Sequence, residues 1–158
     1  MIYCFYLFNR DGVCLYYEDW NRVRKPKSLP EEHKLIFGLL FSLKATVLAM
    51  SPKQPTEGLH CYTTASYKLN YFETMTGLKF VLVTDPTVPS LRSQRIFLVR
   101  GSTMTFCDFR ECLRQIYSHI YVEYVVKNPL QPRSQPITAS LFILHLNKYI
   151  RGLPYFSS

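Results

Sequence analysis

The chain has 158 residues, of which 47% are hydrophobic and 19% charged, a balance that excludes a disordered polymer and allows one sizeable core. Nineteen basic and eleven acidic residues leave a net charge of +8, compatible with an acidic protein partner, an anionic membrane surface or nucleic acid. No unbroken apolar run reaches the ~18 residues of a membrane span, and the start carries no secretory leader pattern, so the expectation is one cytoplasmic domain over residues 1–158.

In chain order, Tyr3–Phe8 and Val13–Tyr17 are β-prone runs joined by Asn9-Arg10-Asp11-Gly12. Asp-Gly between such runs predicts a hairpin. Ser28-Leu29-Pro30-Glu31 has capping-box spacing, with Pro near the first helical position. A helix is predicted from about Glu31 to Met50, stopped by Ser51-Pro52. At ~100° per residue, Ile36, Leu39, Leu40, Leu43, Val47 and Met50 form its core stripe. Phe37, Phe41 and Leu48 form a second stripe flanked by Lys34 and Lys44. A surface helix needs only one apolar face, so the second requires another cover. Strands are predicted at Leu59–Thr64, Tyr67–Glu73 and Leu78–Thr84, the middle one alternating as a half-buried strand does. Arg110–Lys127 reads as a helix with the stripe Cys112, Leu113, Ile116, Tyr117, Ile120, Tyr121 and Tyr124, Val122 and Val126 lying outside it. Ile137–Ile150 reads as a last helix closed by Gly152 and Pro154. The order β-β-α-β-β-β-α-α with short hairpin links predicts a mainly antiparallel five-stranded sheet in an α+β domain.

Five cysteines with no Cys-x-x-Cys spacing read as reduced structural thiols. His33, His60, His119 and His145 are scattered, and no metal, nucleophile-elbow or phosphate-loop motif is present. The expectation is a domain that works by its surfaces, with no catalytic residue, metal, cofactor or small-molecule substrate. Arg22, Arg24, Lys25 and Lys27 form the densest basic run, a candidate membrane-facing loop. No RNA-binding signature accompanies it, so a nucleic-acid-binding module is the rival from another class.

The stretches Tyr6-Leu7-Phe8-Asn9-Arg10-Asp11-Gly12-Val13-Cys14-Leu15, Tyr67-Lys68-Leu69-Asn70-Tyr71-Phe72-Glu73-Thr74-Met75-Thr76-Gly77 and Tyr121-Val122-Glu123-Tyr124-Val125-Val126-Lys127-Asn128-Pro129 resemble one family. It is the small core subunits of the TRAPP vesicle-tethering complex, of the subunit-one type. Lys34–Ser42 and the ending Leu153-Pro154-Tyr155-Phe156-Ser157 match too. The resemblance implies a longin-like fold, with one helix on one sheet face and two on the other. It implies a subunit of an assembly that tethers vesicles between endoplasmic reticulum and Golgi, peripheral on endoplasmic reticulum and cis-Golgi membranes. Its partners would be the other TRAPP subunits and, through the complex, a Rab-type GTPase whose nucleotide exchange the assembly promotes. Exchange needs differential binding of GTPase states rather than acid–base chemistry, so no catalytic residue is carried onto this chain. Another longin-like trafficking adaptor or regulatory domain is the alternative within the fold.

Two expectations follow. Phe37, Phe41 and Leu48 belong to a subunit interface. The resemblance is interrupted at residues 93–110, read as an insertion or splice-variant segment between the fifth strand and the second helix. Its Ile96-Phe97-Leu98-Val99 run would invite aggregation if exposed.

Overall fold

The computed structural model describes residues 1–52, 58–87, 109–132, 135–153 and 155–156. Five strands, β1 (Ile2–Phe8), β2 (Cys14–Asp19), β3 (Cys61–Thr63), β4 (Lys68–Glu73) and β5 (Lys79–Thr84), make one sheet. The order is β2-β1-β5-β4-β3, and every neighbouring pair is antiparallel. The helices are α1 (Leu29–Met50), α2 (Phe109–Gln115), which runs on into π-wound turns over Ile116–Val126, and α3 (Ser140–Arg151). This is the expected longin-like arrangement.

Strand alternation sorts side chains between two cores. Phe5, Leu7, Phe80 and Leu82 pack with α2, its π extension and α3, whereas Cys4, Tyr6, Phe8, Val81 and Val83 face α1. Two irregularities adjust the pattern. A shift between Ile2 and Cys4 sends Ile2 to the two-helix side. Another, between Leu7 and Phe8 on β1, leaves Leu15 without an opposite residue, so Leu15 and Tyr16 both join that side.

The β1–β2 turn forms as its sequence predicts. Asn9 Oδ1 accepts the N–H groups of Asp11 (3.0 Å) and Val13 (2.8 Å), and Gly12 takes φ +87°. Gly77 supplies the same left-handed conformation, φ +83°, in the turn before β5. Ser28 makes no side-chain cap, so the capping-box expectation fails. Its backbone carbonyl accepts from Glu32 N instead (3.1 Å), and the Glu32 side chain goes elsewhere.

β4 is not half-buried as expected. Lys68 and Asn70 are as buried as Leu69 and Tyr71, because α2 covers the face that the sequence pattern assigned to solvent. Asn70 Nδ2 donates to the Leu82 carbonyl and to Thr84 Oγ1, both at 3.1 Å. The second helix also departs from α-periodicity. Ile116, Ile120, Tyr121 and Val125 are buried, a four-to-five-residue repeat that π winding produces and a 100° wheel does not. Val125 was therefore missed. The last helix starts later than its pattern, at Ser140; ahead of it the Ile137 N–H donates to the Leu15 carbonyl (2.8 Å) at the outer edge of β2. Most of the expected insertion, residues 93–108, lies outside the described residues; Phe109 and Arg110 open α2.

Candidate functional site

α1 rests on the sheet by a narrow strip. Leu40 is its one fully buried residue, with Ile36, Phe37, Leu39 and Leu43 packed partly against the sheet core. The expected core stripe continues to Val47 and Met50, yet every residue from Ala45 to Met50 is exposed. Wheel position alone cannot report where a helix outruns the sheet it covers, and these two positions are corrected accordingly. By length and composition α1 is apolar enough to cross a membrane, which the unbroken-run criterion overlooked; its inner strip, however, closes the sheet.

The second stripe divides. Phe37 is half-buried, its ring 5.8 Å from that of Phe8, with Lys79 Nζ 5.3 Å from its centroid. A Cβ at Gly12 would come within 2.9 Å of it, so Phe37 seals the hairpin. Phe41 is 70% exposed and Leu48 45%. All three border a groove of about 420 Å³ between α1, the β1–β2 turn carrying Arg10, and the strand ends at Glu73 and Lys79. Leu35 (73%) and Met50 (78%) extend the exposed apolar surface around the helix. No sequence stripe singled out Leu35.

Glu73 anchors the groove. Burial favours its protonated form, but hydrogen bonds from Lys44 (2.7 Å) and Tyr71 (2.8 Å) and the charges of Lys44 and Lys79 hold its carboxyl below the ordinary carboxylate value. Lys44 is thereby fixed along the groove rather than flanking it loosely.

The basic run also divides. Arg22 turns inward, pairing with Glu32 and donating to Tyr6 OH (3.1 Å). It is therefore removed from the membrane-facing set, and Arg24, Lys25 and Lys27 remain exposed. This network was invisible in sequence, since a loop arginine, a strand tyrosine and a helix glutamate share no spacing. Burial pushes the neighbouring Cys4 thiol up to about 11, where it is protonated and unreactive at neutral pH.

Among the described residues, no group of three or more His, Cys, Asp and Glu is placed to hold a metal. Cys4, Cys14, Cys61 and Cys112 form no disulfide; Cys107 lies outside the described residues. His145 stacks on Tyr124 at 4.4 Å, and His33 packs edge-on to Tyr6 and Phe8. These placements serve packing.

The model of the Sybindin-like family matches residues 2–100 and 93–153. "Trafficking protein particle complex subunit 1" of Dictyostelium discoideum is 42% identical over 160 residues, covering 100% of both chains. The Homo sapiens protein of the same name is 42% identical over 155 residues, 97% of this chain and 94% of that one. "Transport protein particle subunit bet5" of Schizosaccharomyces pombe is 31% identical over 173 residues, 98% and 99%.

Proposed function

The chain belongs to the Sybindin-like family, and from that membership we propose that it is a core subunit of a trafficking protein particle complex, acting through its surfaces and carrying no catalytic machinery of its own. The observation that carries this reading within the structure is the flank of α1 on which Phe41 and Leu48 lie exposed along a groove rooted in Phe37. Burying each such side chain is worth about 1.5–3 kcal/mol, and apolar surface of this extent marks an interface. The complex tethers vesicles between endoplasmic reticulum and Golgi and supports nucleotide exchange on a Rab-type GTPase. The chain is cytoplasmic and reaches those membranes peripherally, through the complex. Arg24, Lys25 and Lys27 add weak attraction to anionic lipid, about 1 kcal/mol per residue near the surface.

The test is Phe41→Asp with Leu48→Asp in the full chain, expressed together with its co-subunits. Both side chains are exposed, so folding by circular dichroism is expected to persist while incorporation into the complex is lost. Normal incorporation overturns the interface. A second assay separates the division of labour: the purified chain is expected to release no labelled nucleotide from a Rab-type GTPase, and the assembled complex to do so. Substantial exchange by the single chain overturns the non-catalytic reading.

A further inference from the structure

The loop between β2 and α1 carries a nucleophile that neither the groove nor the sheet core uses. Arg24, Lys25 and Lys27 are exposed and lie outside any helix or strand, and they run into Ser28, the residue that precedes α1. Ser28 has extended backbone, φ −141° and ψ 115°, and its side chain makes no cap to the helix. Its hydroxyl is not among the buried polar atoms without a partner, so water reaches it. Among the described residues, no other serine or threonine has three exposed cations within the four positions before it. The sequence around Ser28 offers two opposed charge patterns, cations before it and Glu31 and Glu32 after it. The fold separates them. Glu32 pairs with Arg22 and accepts from Tyr6 OH (2.8 Å), with its side chain largely buried. Glu31 is wound into the first turn of α1. The cations alone stand in irregular chain that can extend into another protein's cleft.

We propose that Ser28 is a phosphorylation site for a protein kinase of the basophilic class, whose acidic substrate cleft reads Arg24, Lys25 and Lys27 by charge complementarity. Ser28 Oγ attacks the γ-phosphorus of ATP. The new Oγ–P bond replaces the bond to the bridging oxygen, ADP leaves, and the hydroxyl proton passes to the kinase's base. The product carries a charge of about −1.5 to −2 at pH 7, directly beside three cations, so the loop falls from a surplus of three positive charges to about one. Juxtaposed basic segments are released from anionic lipid by such a change, an electrostatic switch. This second step rests on the membrane-facing role proposed above for the loop; the modification itself does not.

The experiment uses the full chain within its assembled complex, ATP, and the catalytic subunit of cyclic-AMP-dependent protein kinase as the basophilic probe, with the phosphate located by peptide mass spectrometry. Phosphate is expected on Ser28, at least about tenfold faster than with the acidophilic casein kinase. Arg24→Glu with Lys25→Glu is expected to slow the reaction at least about tenfold. The Ser28 hydroxyl holds no cap, so Ser28→Ala is expected to fold and assemble normally while taking up no phosphate in this loop. No phosphate on Ser28, an undiminished rate in the charge-reversed variant, or preference for the casein kinase overturns the site. The phosphorylated complex is then expected to bind phosphatidylserine vesicles at least about tenfold more weakly at low salt, a drop that Ser28→Ala treated alike does not show. Unchanged vesicle binding overturns the switch. If the charge-reversed complex also binds vesicles normally, the membrane-facing reading of the loop is what fails, and the kinase assay, which contains no lipid, decides the site by itself.

Discussion

The two faces of the sheet share the same strands, yet they are covered in different ways. On one, Phe142, Leu146 and Ile150 of α3 are fully buried against Phe5, Phe80 and the π-wound turns, with Tyr16 and Tyr121 set edge-on to Phe142 at 5.3 and 6.4 Å. On the other, a longer helix, more apolar than α3, buries Leu40 alone and leaves Phe41, Leu48 and Met50 exposed. Two short amphipathic helices complete a core; one long helix with two apolar sides closes the sheet and offers a surface outward. Helix length and apolarity therefore do not report contribution to stability here. Burial does.

The largest effect expected from this contrast is on the two-helix face. Phe142→Ala should destabilise the folded chain by about 3–5 kcal/mol in urea denaturation, whereas Phe41→Ala should stay within about 0.5 kcal/mol. Comparable losses at the two positions would erase the distinction. Next in size is the anchor of α1 to β1. Arg22→Ala leaves Glu32 and Tyr6 without their shared donor, and a loss of about 1–3 kcal/mol is expected. The exposed Glu123–Lys127 pair, removed by Lys127→Ala, should cost about 0.5 kcal/mol or less, and a ranking in the opposite order would mean that Arg22 is not an anchor. Gly12→Ala tests the hairpin contact of Phe37: with φ +87° and the ring 2.9 Å from the added Cβ, about 1–2 kcal/mol of stability should be lost. A neutral result would release Phe37 from that role.

The smallest effects are pH-dependent and again follow the α1 face. The Glu73 carboxyl is held below its ordinary value of 4.5. The folded state therefore binds fewer protons than the unfolded chain, and the contribution is present above pH 4.5 and lost as pH falls through the folded value. Burial likewise lowers His33 below 6.5, against the opposing charge of Glu32. Its neutral form favours folding, so stability should begin to decline as pH drops below 6.5. Glu73→Gln should flatten the acid limb, and His33→Phe the shallower slope above it, in denaturation midpoints measured from pH 7 to 4. An unaltered profile in Glu73→Gln would show that Lys44 and Lys79 do not depend on it.

Local chemistry was sufficient for the elements themselves. Asn9-Arg10-Asp11-Gly12 carries its own side-chain acceptor and its left-handed glycine, so the hairpin is legible from four residues. The strand runs, the Pro30 start and Ser51-Pro52 stop of α1, and the Gly152 end of α3 act over a few bonds and were likewise readable. The order of hairpins then leaves few alternatives to an antiparallel sheet. The family resemblance carried by the Tyr6–Leu15, Tyr67–Gly77 and Tyr121–Pro129 stretches was also present in sequence alone. What tertiary structure decided depends on distance across the fold. Whether Val47 and Met50 are core depends on how far the sheet extends beneath α1. Whether Lys68 and Asn70 meet water depends on α2. Phe37 and Phe41, one helical turn apart and alike in composition, part company because the Gly12 turn reaches one and not the other. Arg22 leaves its basic neighbours because Glu32 and Tyr6, distant in sequence, converge on it. Periodicity describes the directions in which side chains point; only the assembled layers determine what stands there to meet them.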